Sequence, residues 1–216
     1  MKFYLLTSIK KLTVIRFVAI AVTLLAISSA SFVYASNAPA NSPQAQSAAK
    51  PALTEEVLKG KPYVITKMLV SAPIEQVWKV LADLKNATHV FPVLKKCDVL
   101  EDHGTTKVAR QVIAPSGMPG TTYDYVLTIQ QTAPSFIEWH RLSGDFKAVE
   151  GFWKLESTDS GHSTMVTYGS YIDGGFFLPQ ALIKHQARKD LPSTLLALKN
   201  QAELNNQIAS RAAAIQ

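Results

Sequence analysis

Five histidines are the first residues to weigh for chemistry: His89, His103, His140, His162 and His185. No two stand at the i, i+4 spacing by which one helix face presents two imidazoles to a metal. Cys97 is the single cysteine, which excludes a disulfide framework and any cysteine-built metal cluster. No nucleophile elbow, phosphate-binding loop or dinucleotide fingerprint is present. The one acid–base couple is Glu138 with His140, which share a face if residues 136–142 form a strand, and a carboxylate beside an imidazole can move a proton. A structural or surface histidine gives the same pattern. No catalytic residue, metal ligand or cofactor is assigned. The aromatics point to binding. Tyr123, Tyr125, Trp139, Phe152, Trp153, Tyr168 and Tyr171 fall in four neighbouring predicted strands. Such rings can line an apolar cavity, with tyrosine hydroxyls as polar handles, or simply fill a sheet core. Tyr123, Tyr125, Trp139, Trp153, Tyr168 and Tyr171, with Leu182 from the last helix, are the cavity candidates.

The elements that must position these side chains follow from periodicity. Thr54, two acids and Gly60 predict a short helix over 54–60. Residues 63–70 (YVITKMLV) read as a strand. Ser71-Ala72-Pro73 starts a helix whose Ile74, Val77, Trp78, Leu81 and Leu84 recur at helical spacing. A second short helix or turn spans 86–94. Period-two segments follow at 97–101, 107–114, 123–131, 136–142, 147–156 and 163–172, separated by short Gly, Pro, Ser and Asp clusters, which implies an antiparallel meander. Residues 178–205 form a long helix. A single curved antiparallel sheet closed by that helix satisfies the order.

In a meander the connections alternate between the two ends of the sheet. One end carries polar turns at 102–105, 132–135 and 158–162. The other carries 116–120, 143–146 and 173–177, each with glycine and with methionine or phenylalanine. Apolar side chains on loops run against the usual composition. Met118, Phe146, Phe176 and Phe177 are therefore candidates for a cavity mouth, or for plugs at the end of the core.

Charge is unevenly distributed. The 216 residues carry 22 Lys+Arg and 16 Asp+Glu, a net charge of +6. Lys2, Lys10, Lys11 and Arg16 precede an uncharged apolar run at 17–27, and small residues Val33-Tyr34-Ala35 stand at cleavage-like positions. This is the layout of a secretory signal peptide over residues 1–35, with an uncleaved anchor as the alternative. Residues 36–52, rich in Ala, Pro, Ser and Gln, read as a flexible linker. The folded domain is placed at 53–208 and a tail at 209–216. Without residues 1–35 the balance is 18 basic to 16 acidic. The near-neutral remainder gives no reason to expect a nucleic-acid partner. A periplasmic or secreted location is expected.

Residues 71–84 (SAPIEQVWKVLADL), His89-Val90-Phe91-Pro92, residues 151–155 (GFWKL), residues 164–168 (TMVTY) and the stretch from Arg188-Lys189-Asp190-Leu191-Pro192 to Lys199 resemble the START-like superfamily of polyketide cyclase/dehydrase and lipid-transport proteins. The coenzyme Q-binding START-like proteins are the nearest in look. The resemblance implies an α+β helix-grip fold: a seven-stranded curved antiparallel sheet wrapped around a long C-terminal helix, with two short helices after the first strand and a hydrophobic cavity between sheet and helix. It implies a lipid, quinone, steroid or polyketide as ligand, and supplies no shared catalytic motif.

Three readings stand open at this point. One is a monomeric exported carrier for a hydrophobic small molecule, with transient membrane contact. Another is a cyclase-like enzyme using Glu138 and His140 or the tyrosine hydroxyls. The third is an envelope interaction module with a vestigial cavity. Fold alone does not choose among them.

Overall fold

A computed structural model of the chain describes residues 51–176 and 178–215. The segment expected to be a signal peptide, all but the last two residues of the expected linker, and Phe177 lie outside the described residues. The order is β1 (Ala52–Leu58), β2 (Lys61–Val70), α1 (Ile74–Ala82), α2 (Ala87–Val90), β3 (Leu94–His103), β4 (Thr106–Ile113), β5 (Tyr123–Thr132), β6 (Phe136–Gly144), β7 (Ala148–Thr158), β8 (Ser163–Asp173) and α3 (Gln180–Ala213). All eight strands form one antiparallel sheet in the order β1-β2-β8-β7-β6-β5-β4-β3. The meander from β3 to β8 is continuous, and β2 returns to pair with β8.

The sheet has eight strands rather than the seven expected, because residues 54–60 are not a helix. They belong to β1 and its turn, with Leu58 opposite Lys61. The two residues between, Lys59 and Gly60, both have positive φ, 50° and 75°. That is the two-residue hairpin geometry whose twist matches paired strands. The gain of a backbone ladder along β2 outweighs the helix propensity of a Thr-Glu-Glu start. The last helix runs from Gln180 to Ala213, so residues 209–213 of the expected tail are helical.

Alternation along each strand divides the sheet into two faces. The inner face carries Met68 and Val70 of β2, Leu127 and Ile129 of β5, and Leu155 and Val166 of β7 and β8, all buried. α3 packs across this face against β2, β8 and α1. Leu195 and Leu198 are fully buried and join the same core. The 34-residue helix therefore anchors through its middle. Its first three turns extend over the sheet, where Gln180 donates to the Ile172 carbonyl of β8 at 2.9 Å.

β1 contributes one feature that reaches the site. Glu55 binds both Lys184, at 3.0 Å, and Arg188 on α3. These two cations hold the Glu55 carboxyl below its ordinary range. A depressed carboxylate pKa means the clamp is intact at neutral pH and is lost as pH falls through that lowered value. We expect Glu55→Gln to speed amide hydrogen exchange in residues 180–190 and leave residues 200–213 unchanged. Equal rates in both segments would show that the edge strand does not hold the helix.

Candidate ligand cavity

Between the first three turns of α3 and the inner face lies a cavity of about 220 Å³. Its floor is built by period-two alternation. Tyr123, Tyr125, Leu127 and Ile129 of β5 point in together, as do Ile137 and Trp139 of β6. Val149 and Trp153 of β7 continue the floor, and Tyr168, Ser170 and Ile172 of β8 close it. The roof is one stripe of α3, from Leu182 and Ile183 through Gln186, Ala187 and Asp190 to Thr194, the i, i+4 spacing of one helix face. Phe91, just after α2, closes a side.

The rings form a connected wall. Trp153 and Tyr168 stack with centroids 4.0 Å apart and planes 13° from parallel. Trp139 meets Tyr168 at 5.9 Å, and Phe91 stacks on Trp153 at 6.3 Å. Gly151 sits under Trp139. A Cβ at that position would stand 2.2 Å from the indole and 2.6 Å from the Gly169 carbonyl oxygen. The bare backbone lets the indole lie close to the sheet instead of standing up into the cavity.

Of the seven lining candidates, Tyr123, Tyr125, Trp139, Trp153, Tyr168 and Leu182 line this cavity. Tyr171 does not. Three residues beyond Tyr168 on the same strand, it points to the opposite face, where its ring meets Tyr63 at 5.8 Å. Lys61 lies over the Tyr171 ring and pairs with Glu150, and the Tyr63 hydroxyl donates to the same carboxylate at 3.1 Å. Burial, and then the Glu150 charge, push the Tyr63 hydroxyl up to about 12.

The mouth candidates separate. Met118 lines the cavity and is half-buried. Phe146 also lines the cavity; it is 4% exposed and packs on Tyr123 at 4.6 Å and Tyr125 at 5.7 Å, so it closes the cavity where it meets the end of the core. Phe176 is 96% exposed and is not part of the cavity wall. The loops themselves do gather at one end. The Lys147 amide donates to the Asp173 carbonyl at 2.8 Å, and Gln186 of α3 donates to the Ser116 carbonyl at 2.9 Å.

Polar groups in the wall are few. Asp190 accepts from Gln186 at 2.8 Å and from the Ser116 amide at 3.3 Å. Thr194 turns its hydroxyl to the Asp190 carbonyl at 2.9 Å. Gln111 approaches the Cys97 sulfur at 3.9 Å, and burial pushes that thiol up. The hydroxyls of Tyr125 and Tyr168 have no hydrogen-bond partner among the described residues. Burial pushes both up, Tyr168 to about 12, so both stay protonated at neutral pH. Gln186, Asp190 and Thr194 escaped the sequence reading because it followed only the apolar positions of α3. Their i, i+4 spacing from Leu182 was the available signal.

Glu138 and His140 approach each other at 3.8 Å, but the inward residues of β6 are Ile137 and Trp139. The couple therefore stands on the outer face, away from the cavity. Among the described residues no cluster of His, Cys, Asp or Glu could hold a metal ion. No helix among them is long and apolar enough to cross a membrane.

A sheet that grips a long C-terminal helix over an apolar cavity is the geometry that the sequence resemblance implied. The family model described as polyketide cyclase / dehydrase and lipid transport matches residues 70–199. The chain belongs to that family. Among solved structures, it is similar to the Zhui aromatase/cyclase of Streptomyces sp. R1128, with 20% identity over 65% of this chain and 93% of that one and a TM-score of 0.57. It is also similar to the STAR-related lipid transfer protein of Xanthomonas axonopodis, at 16% identity over 71% and 98% of the two chains and a TM-score of 0.57. Human STARD10 matches at 11% identity over 71% and 73%, with a TM-score of 0.58. At these identities the likeness establishes the START-like fold. No curated protein matches the sequence. The fold neighbours thus include both an aromatase/cyclase and a lipid transfer protein, and the choice for this chain rests on its own cavity.

Proposed function

We propose that this protein is an exported carrier that binds a hydrophobic small molecule between the sheet and α3 and passes it on, with residues 1–35 directing export. The supporting observation is an aromatic cavity whose ionisable groups are already engaged or held neutral. Asp190 is occupied by Gln186 and Ser116, and the two inward tyrosines are protonated. Such a wall favours burial of apolar surface, at about 0.8 kcal/mol per CH₂. The family's lipid-transport members and the signal-like N-terminus agree with a ligand moved across an aqueous compartment.

Purification from the periplasmic fraction tests both halves. We expect the mature chain to begin at Ser36 by N-terminal sequencing. We also expect mass spectrometry of its organic extract to give one hydrophobic compound near equimolar with protein. A chain retaining residues 1–35 would overturn cleavage, and an extract without a stoichiometric compound would overturn the carrier.

A further inference from the structure

The wall of the cavity holds a single formal charge, and it is negative. Resting on the carrier reading above, we propose that the cavity selects a compact hydrophobic organic cation, an arylalkyl amine or its quaternary ammonium counterpart, whose nitrogen is held by the Asp190 carboxylate and the faces of the neighbouring rings.

The lining decides the sign. Among the described residues that face the cavity there is no lysine, arginine or histidine, and Asp190 is the one carboxylate. Its carboxylate oxygens accept from neutral donors, the Gln186 side-chain amide at 2.8 Å and the Ser116 backbone amide at 3.3 Å. These bonds occupy lone pairs without cancelling the charge, and a carboxylate offers about four acceptor sites. The basic side chains of the same helix turns are directed elsewhere. Lys184 and Arg188 are bound to Glu55. The Lys189 ammonium lies against the β4–β5 loop, where a Cβ at Gly117 would stand 3.1 Å from it. Asp190 forms no ion pair among the described residues. A carboxylate in an apolar wall is unfavourable without a cation, and a bound ammonium supplies one.

The charge is felt across the cavity. Burial first, and the Asp190 charge second, push the Tyr168 hydroxyl up to about 12. The rings work in the same direction. Trp153 stacks on Tyr168 and Trp139 meets the same ring, and an aromatic face carries the negative part of the quadrupole. A cation within about 6 Å of such a face is attracted to it. A ligand carboxylate or phosphate would instead meet a like charge and the same negative faces. Size sets the rest of the molecule. A cavity of about 150 Å³ holds benzene, so about 220 Å³ holds an aryl group with a short amine arm.

The test compares three probes of nearly equal size by calorimetry on the purified mature protein: 2-phenylethylamine, a cation at neutral pH, 2-phenylethanol, which is uncharged, and phenylacetate, an anion. Salt at about 0.15 M screens attraction from the protein surface. We expect the amine to bind at least about tenfold more tightly than the alcohol, the worth of one hydrogen bond to a charged group, and phenylacetate to bind most weakly. Asp190→Asn, which keeps the side chain's size, should remove the tenfold preference and leave the affinity for the alcohol unchanged. The wild-type order decides the matter even if the variant folds poorly. An alcohol bound as tightly as the amine, or phenylacetate bound most tightly, overturns the proposal and leaves the carrier reading intact. If none of the three binds, the proposal falls, and the carrier reading falls with it only when the organic extract also holds no stoichiometric compound.

Discussion

Gly151→Ala is expected to lower stability by about 3 kcal/mol, the upper part of the range for overpacking a core, and to abolish retention of a cavity ligand. The added methyl would lie 2.2 Å from the Trp139 indole and 2.6 Å from a backbone carbonyl in the neighbouring strand. The carbonyl cannot retreat without breaking the ladder that joins β7 to β8 through Gly151 and Ser170. The indole lines the cavity, and a shift away from the methyl carries it into that space. Either response registers: strain lowers the denaturation midpoint, or a displaced indole occupies the ligand's space. Urea unfolding and ligand retention should be measured on the same preparation. Wild-type behaviour in both would show that Trp139 does not lie over Gly151.

Leu198→Ala should cost between about 2 and 5 kcal/mol, the range for emptying a closed core site. Leu198 is fully buried beside Leu195 and Ala202, where α3 is clamped against β2 and α1. The matching control is Leu204→Ala on the same helix, where the side chain is 50% exposed and the loss should be about 1 kcal/mol or less. Domains of this kind are stable by only about 5–15 kcal/mol, so the first substitution removes a large fraction of the total and the second does not. Equal losses would mean that α3 is held along its whole length and not gripped at its centre. The distinction bears on function, because a helix anchored at its middle leaves its first turns to roof the cavity. The Glu55 clamp from β1 then ties that roof together with the contacts of Gln186 and Asp190 to Ser116.

The alternation of Tyr123, Tyr125, Leu127 and Ile129 was legible because side-chain direction in a strand is a local steric property with period two. So were the meander, the position of the long helix and the family, which rest on local patterns of residue type. The same parity was sufficient to separate Tyr168 from Tyr171, three positions apart, and Trp139 from His140, its neighbour; composition had grouped the first pair. Parity says which residues share a face and not which face is inward. That was decided by α3, which covers the Trp139 side and leaves Glu138 and His140 outside.

β1 was misread for a related reason. Thr54-Glu55-Glu56 is an acceptable helix start when alone, and only pairing with β2 through the Lys59–Gly60 turn makes the strand more favourable. Phe146 and Phe176 illustrate the same limit. Both are aromatic residues in glycine-containing loops, yet one is buried against two tyrosines and the other is almost fully exposed.

The sequence by itself determined an export-like N-terminus, a near-neutral remainder, the START-like fold and a set of inward aromatics. Each follows from charge, hydrophobicity or backbone period over a few residues. Only the tertiary structure decided that a cavity of about 220 Å³ remains, that Gly151 makes room for its Trp139 wall, and that Tyr171 and the Glu138–His140 couple stand outside it. The physical reason is that empty volume and missing partners are properties of how distant side chains fill space against one another, and no local pattern encodes what fails to touch.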